Sequence, residues 1–443
     1  MLDSLLIKPL MNYVYPKAVR ASGIYIYDEN GKEYLDGSSG AVTASIGHAV
    51  PEIIKSAYEQ SQKLSFVYRS QFTTDPAEAL AKRLSALVNA EQDYWSFFVN
   101  SGSEATETAM KIAIQYWQEQ GKHKKMKILS RRISYHGITL GALSMSGHLG
   151  RRERFVELLE DYPTVAPPYC YRCPFQSSVP KCGIACADDL ETAIKRIGAE
   201  HIAAFIAEPI VGAAGGVIVP PDGYYQKIKQ ICEQNDILFI ADEVMTGIGR
   251  TGKMFAIDYW DVKPDIMTLG KGMSAGYSPI AATMASEAVI SPILTGSKVV
   301  MSGHTFSANP QSTAVGLAVI DYIEKNDLVN ASFNKGKYLM EKLKGLANSH
   351  SIIGDIRGKG LMIGIEFVEN QQNKKSYPSS LNLTNKIVNI AQNNGLLLYP
   401  SSAGTDGKGG DAVIIAPPLT IKKKQIRKLV ELLDKTLLDI KNS

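Results

Sequence analysis

The sequence predicts an α/β fold: a large unit whose mostly parallel central sheet is flanked by helices, with a smaller α+β unit assembled from both termini. Three observations predict it. The 443 residues are 45% apolar and 21% charged, enough to bury the core of a large globular unit or of two coupled domains. The middle of the chain alternates short, nearly continuous apolar runs with helical patterns, as buried parallel strands and their crossover helices do. The two ends break that rhythm with short strands, turns and amphipathic helices.

Before about residue 66, a strand signal at 24–27 is closed by the Asn30 and Gly31 turn and resumes at Tyr34 and Leu35. Strands are then expected at 97–99, 128–129, 203–206, 237–240, 266–269 and 280–283. The helix after the first of these puts Ala105, Ala109, Ile112, Ala113 and Tyr116 on one face, and Ser101 with Glu104 forms a capping box at its start. A helix from Asp222 turns Tyr225, Ile228, Ile231 and Cys232 inward. After about residue 326 come helices and an alternating strand with Leu361, Ile363, Ile365 and Phe367 on one face. A last amphipathic helix carries Ile426, Leu429, Val430, Leu433, Leu437 and Ile440. Segments 370–380 and 401–410 read as surface loops. The division that follows is 1–65 for the N-terminal part of the small domain, 66–326 for the large domain and 327–443 for the C-terminal part of the small domain.

Forty-eight Lys and Arg against 44 Asp and Glu leave a formal charge of +4, too balanced for a polyanion-binding surface to be the default reading, so nucleic acid is not favoured. No apolar run approaches membrane-spanning length, and the first residues lack a basic start followed by a long apolar core, so a cytoplasmic protein is expected. Of five cysteines, Cys170, Cys173, Cys182 and Cys186 cluster. A structural zinc site and a set of reduced thiols are both open to them. The single C-x-x-C favours thiols, and no metal is assigned.

The unusual polar residues fall just beyond the carboxyl ends of the expected strands, where open parallel sheets bind ligands. Ser101, Gly102 and Ser103 open a helix, whose free N–H groups and dipole suit a phosphate, although an ordinary cap reads the same way. Lys271 stands between two glycines after an apolar strand, where burial lowers a lysine pKa and the amine can form an imine. Asp242 ends the neighbouring run. No GxGxxG follows a strand and no GxxxxGK[ST] occurs, so dinucleotide and P-loop readings lose support. An amine, a carboxylate and a phosphate-binding helix start together meet the needs of one aldehyde cofactor.

The stretch from Ile240, Ala241, Asp242, Glu243 and Val244 through Gly252, followed by Pro264 to Gly272, resembles the signature of class III aminotransferases, a fold type I group. The resemblance covers essentially the whole chain and points to the ω-amino acid:pyruvate, ornithine and 4-aminobutyrate aminotransferases. It continues through Asn100 to Ala105, Tyr135, His136 and Gly137, Glu208 and Pro209, His304 to Ser307, Arg357 to Gly360, and Ala416 to Pro418. It implies pyridoxal 5'-phosphate held by Lys271 as a Schiff base, with Asp242 paired to the pyridinium and Ser101, Gly102 and Ser103 at the phosphate. Tyr135 would stack on one cofactor face and Val244 pack on the other, with Glu208 near the ring hydroxyl. Thr305 would reach the phosphate of a neighbouring subunit, which implies a homodimer with shared sites. Lys271 and Asp242 are the expected catalytic pair in a ping-pong amino transfer. Racemases, aminomutases and decarboxylating aminotransferases share that pair, and a binding protein that has lost catalysis is a remoter rival.

Relatives that use glutamate often carry an arginine two residues before the position of Ala416, and this chain has Ile414 there. The expected donor is therefore an ω- or β-amino acid or another primary amine, with pyruvate or a related keto acid as acceptor. Arg69 is either a carboxylate contact or, more in keeping with its type, a solvated surface arginine, and Tyr13, Tyr15 and Phe66 either border the entrance or pack in the core. His48, His136 and His304 lie in family motifs and receive no role as metal ligand or base.

Overall fold

The computed structural model describes residues 5–11, 13–404 and 409–442. Its centre is a seven-stranded sheet in the order Tyr94–Val99, Ala281–Ser286, Ile266–Leu269, Leu238–Asp242, Ile202–Ala207, Lys127–Arg131, Thr164–Val165. Only Ala281–Ser286 runs against its neighbours, so the sheet is mostly parallel, as expected. The continuous apolar runs have a direct cause. Phe205, Phe239 and Met267 pack into one core while Ala204, Ile206, Ile240 and Ile266 pack into a second one with Ala109, Ile112 and Trp117, so both faces are covered.

The helix Gly102–Glu119 leaves the end of the first strand. Ser101 Oγ accepts from Glu104 N–H at 3.3 Å, but the Glu104 carboxylate accepts from Asn100 N–H at 2.7 Å, one residue short of the expected capping box. Trp117 rather than Tyr116 completes its buried face. The second expected helix begins at Tyr224, and Tyr225, Ile228, Ile231 and Cys232 are all buried.

Strands from the two ends of the chain meet. Ala18–Ser22, Tyr25–Asp28 and Glu33–Asp36 form an antiparallel meander, and Leu396–Leu397 adds in parallel to the last of them. A third sheet holds Ile353–Lys359, Met362–Phe367, Asp411–Ile415 and Tyr399–Ser402, all antiparallel. Two expectations change here. The strand Met362–Phe367 is buried on both faces, because Glu366 sits between Arg172 at 2.6 Å and Arg357 at 2.7 Å. The segment expected as a loop from 401 begins as strand: Ser401 is buried and donates to the Ala213 carbonyl at 2.8 Å. The rest of that loop includes 405–408, which lie outside the described residues.

Candidate active site

Four strand ends converge on one cavity of about 160 Å³. The carboxyl ends of neighbouring parallel strands bring Glu208, Asp242 and Lys271 to its wall, and the start of the helix Gly102–Glu119 closes it with Gly102 and Ser103. Tyr135 and Val244 complete the wall with His136, Gly137 and Met245. Ser101 is exposed, and its hydroxyl is taken up by the helix cap.

Lys271 has φ 42°, a left-handed backbone that costs a side-chain-bearing residue roughly 1–2 kcal/mol. Burial pushes its ammonium down to about 8, against the opposing pull of Asp242 and Glu208. Asp242 is held from three sides. Its Oδ1 accepts from Thr268 Oγ1 at 2.9 Å and Val244 N–H at 3.2 Å, and its Oδ2 lies 2.7 Å from His136 Nδ1. An ionised carboxylate only accepts, so Nδ1 carries the proton in that pair. Glu208 accepts from Tyr135 N–H at 3.0 Å and Gly212 N–H at 2.9 Å, while burial raises its pKa.

Val244 is wedged between two glycine backbones. A Cβ on Gly102 would stand 2.8 Å from Val244 Cγ1, and one on Gly270 would stand 3.2 Å from the same atom. Gly137 has φ +136°, and a Cβ there would meet Ser103 Oγ at 2.5 Å. The Ser103 hydroxyl accepts from Ile138 N–H at 3.0 Å, which ties the helix start to the segment carrying Tyr135 and His136.

A cavity presenting a buried amine, a fixed carboxylate and a helix start has the chemistry of a site for a phosphorylated aldehyde. Comparison with known proteins is decisive: the class III aminotransferase family matches residues 11–437. The chain is a class III aminotransferase. It is 52% identical over 436 residues to an uncharacterised aminotransferase of Bacillus subtilis, YodT, covering 98% of each chain. Among solved structures it resembles an (S)-enantioselective omega-transaminase from Thermomicrobium roseum, with TM-score 0.90, 35% identity and coverage of 96% of this chain and 93% of that one. An amine transaminase from an uncultivated Pseudomonas species, solved with pyridoxal phosphate bound, superposes with TM-score 0.92 at 32% identity over 99% of each chain. The cofactor of this aminotransferase is pyridoxal 5'-phosphate, as the family requires.

Sequence reasoning gave His136 no role, yet in the aminotransferase it is buried against Asp242. Its position in the Tyr135, His136, Gly137 motif after the strand Lys127–Arg131 was the available signal. Thr305 lies outside the cavity lining, in an exposed turn next to Phe306. Arg69 is also outside it: its guanidinium donates to the Ser302 carbonyl and lies 4.6 Å from the Phe97 ring centroid. Tyr13 and Tyr15 make an edge contact at 4.8 Å, and Phe66 makes one with Phe306 at 5.9 Å. Ile414 is fully buried in the strand Asp411–Ile415. His48 lies 3.5 Å from Asp36, and His304 lies 3.8 Å from Glu104. Cys170, Cys173, Cys182 and Cys186 surround one small cavity of about 20 Å³ as free thiols. Among the described residues no group of three or more His, Cys, Asp or Glu side chains is placed to hold a metal ion.

Proposed function

We propose that this aminotransferase moves the amino group of an ω- or β-amino acid, or of another primary amine, to pyruvate or a related keto acid, with Lys271 and Asp242 as its catalytic residues. The observation that carries the reading is the pair itself, a half-buried lysine and a buried aspartate on neighbouring strand ends facing one cavity.

The residues present fit pyridoxal phosphate. The start of the helix Gly102–Glu119, left narrow by the bare Gly102 and aided by Ser103, would hold the phosphate. Asp242, fixed by Thr268, Val244 N–H and His136, would hold the proton on the ring nitrogen. Tyr135 and Val244 would cover the two ring faces, with Glu208 toward the ring hydroxyl. When bound, the cofactor supplies an aldehyde that bonds an amine and a protonated ring that draws off the electron pair left by proton removal. Lys271 Nζ, lowered to about 8, is neutral often enough near neutral pH to take the proton from the amine-bearing carbon of the substrate. The same ammonium then returns the proton. Tyr135 and Val244 keep water from the reacting face.

Ile414 supports the donor class, since a fully buried aliphatic side chain offers no guanidinium to an α-carboxylate at that position. The omega-transaminase among its structural relatives supports the same class. The reading includes a cytoplasmic homodimer with Thr305 reaching the partner's phosphate site. Exposed Phe306, next to Thr305 and in edge contact with exposed Phe66, and exposed Met301 four residues before Thr305 suit an apolar interface. It also takes 1–65, 66–326 and 327–443 as the division into small, large and small domain. The test is a donor screen against pyruvate and 2-oxoglutarate: transfer from ω-amino acids with parallel double-reciprocal plots is expected. Exclusive use of α-amino acids would overturn the donor class.

A further inference from the structure

We propose that Arg151 binds the carboxylate of the amino donor, and so sets the preference of this aminotransferase for acids over simple amines. The proposal rests on the reading above and names the residue responsible for its substrate class. An incoming carboxylate needs a cation that is free to meet it. Most arginines near the cavity are not free. Arg131 is fully buried, with Nη1 donating to Tyr225 Oη at 3.1 Å and Nη2 donating to the Glu208 carbonyl. Arg250 donates to the Leu361 and Pro417 carbonyls, and Arg357 is paired with Asp355 and Glu366. Arg152 Nη1 donates to the carbonyls of Leu143, Ser144 and Ser146.

Arg151 differs from all of these. It is exposed, and among the described residues its side chain makes no ion pair and no hydrogen bond. Its guanidinium carbon stands 4.8 Å from the centroid of the Tyr135 ring, a cation–π contact that orients the planar fork without consuming its N–H groups. Tyr135 walls the cavity that holds Lys271, whereas Arg151 walls a groove of about 520 Å³ with Pro400, Ser401 and Ser402. The contact between the two side chains therefore brings the guanidinium against a residue of the cavity wall. The charge on Arg151 is felt inside: it helps to lower Lys271 and opposes the upward shift that burial gives Tyr399. Asp411, the acid lining the groove, does not compete for the guanidinium, because its Oδ1 accepts from Thr384 N–H at 2.8 Å and Thr384 Oγ1 at 2.9 Å. A molecule with its amine at Lys271 and its anion at Arg151 carries the two groups at opposite ends, which is the form of an ω- or β-amino acid.

The experiment compares wild type, Arg151→Gln and Arg151→Lys as cofactor-loaded enzymes, following the donor half-reaction alone. β-Alanine, 4-aminobutanoate and 6-aminohexanoate are each paired with the unsubstituted amine of the same chain length. In Arg151→Gln the ratio of kcat/KM for the best acid to that for its amine should fall about 10- to 100-fold, the worth of a hydrogen-bonded charge pair. The change should lie in KM, and Arg151→Lys should recover part of it. A ratio that stays within threefold of wild type overturns the proposal while leaving amino transfer standing. If wild type converts none of the six donors, the donor reading fails, and Arg151 is judged on binding. Calorimetric titration of the cofactor-free protein with propanoate should show affinity that Arg151→Gln loses, and equal affinity in both proteins overturns the proposal.

Discussion

Gly102→Ala is expected to weaken cofactor binding more than it weakens the fold. The added Cβ would stand 2.8 Å from Val244 Cγ1, whereas ordinary contacts lie at 3.4–4 Å. Val244 has little room to retreat, because Gly270 closes it in from the other side at 3.2 Å for a Cβ built there. The overlap is relieved by moving Val244 into the cavity or the helix start away from it. Overpacking of this size costs about 1–3 kcal/mol, and since the strain falls on the cavity wall, the dissociation constant of pyridoxal phosphate should rise about 5- to 150-fold. The backbone of Gly102 is not left-handed, and alanine is the better helix former by up to about 1 kcal/mol, which offsets part of that cost, so the cofactor-free protein should melt only slightly below the wild-type temperature. The assay is a visible-absorbance titration of cofactor-free protein, beside a melting curve without cofactor. Affinity within twofold of wild type would refute the wedge. Gly345→Ala is the control: it lies in the helix Leu328–Ala347 with nothing within 4 Å of its Cβ, and should gain stability with cofactor affinity unchanged.

Lys271→Ala should abolish amino transfer yet retain measurable noncovalent cofactor binding, read by activity and by equilibrium dialysis; full activity would refute the role given to this amine. In cofactor-free protein, reductive methylation of Lys271 by formaldehyde should rise through pH 8, because the amine is neutral above its pKa, while surface lysines respond about two pH units higher. Asp242→Asn should move that midpoint further down, since the Asp242 charge favours the ammonium; pulse labelling with peptide mass spectrometry reads both. Glu366→Gln removes the buried charge facing Arg172 and Arg357 and should cost about 3–5 kcal/mol in urea unfolding, with a loss below about 1 kcal/mol counting against it. Met301→Asp combined with Phe306→Asp tests the proposed homodimer: wild type should sediment as a dimer and the double variant as a monomer with lowered activity, and an unchanged species counts against that interface.

Wherever one local rule sufficed, the sequence was a sound guide. Continuous apolar runs located every strand expected of the central sheet, because both faces of that sheet are covered and no alternation is needed. Local rules failed where a distant group changed the accounting. Met362–Phe367 was expected as an alternating strand with one apolar face, but Arg172, 194 residues away, and Arg357 on the paired strand neutralise Glu366 and let both faces be buried. Ser401 was expected in a loop, but its hydroxyl meets the Ala213 carbonyl.

From its residues alone the chain determined its fold class, its family and the positions of Lys271 and Asp242, since these depend on residue type, periodicity and motif within a few dozen positions. Only the tertiary structure decided that His136 meets Asp242, 106 residues away, that Val244 is pinned between Gly102 and Gly270, and that Arg151 lies over the Tyr135 ring. Those contacts follow from the order of strands in the sheet, which crossover helices set across the fold. Side chains distant along the chain are brought within hydrogen-bonding distance only when the whole sheet is assembled.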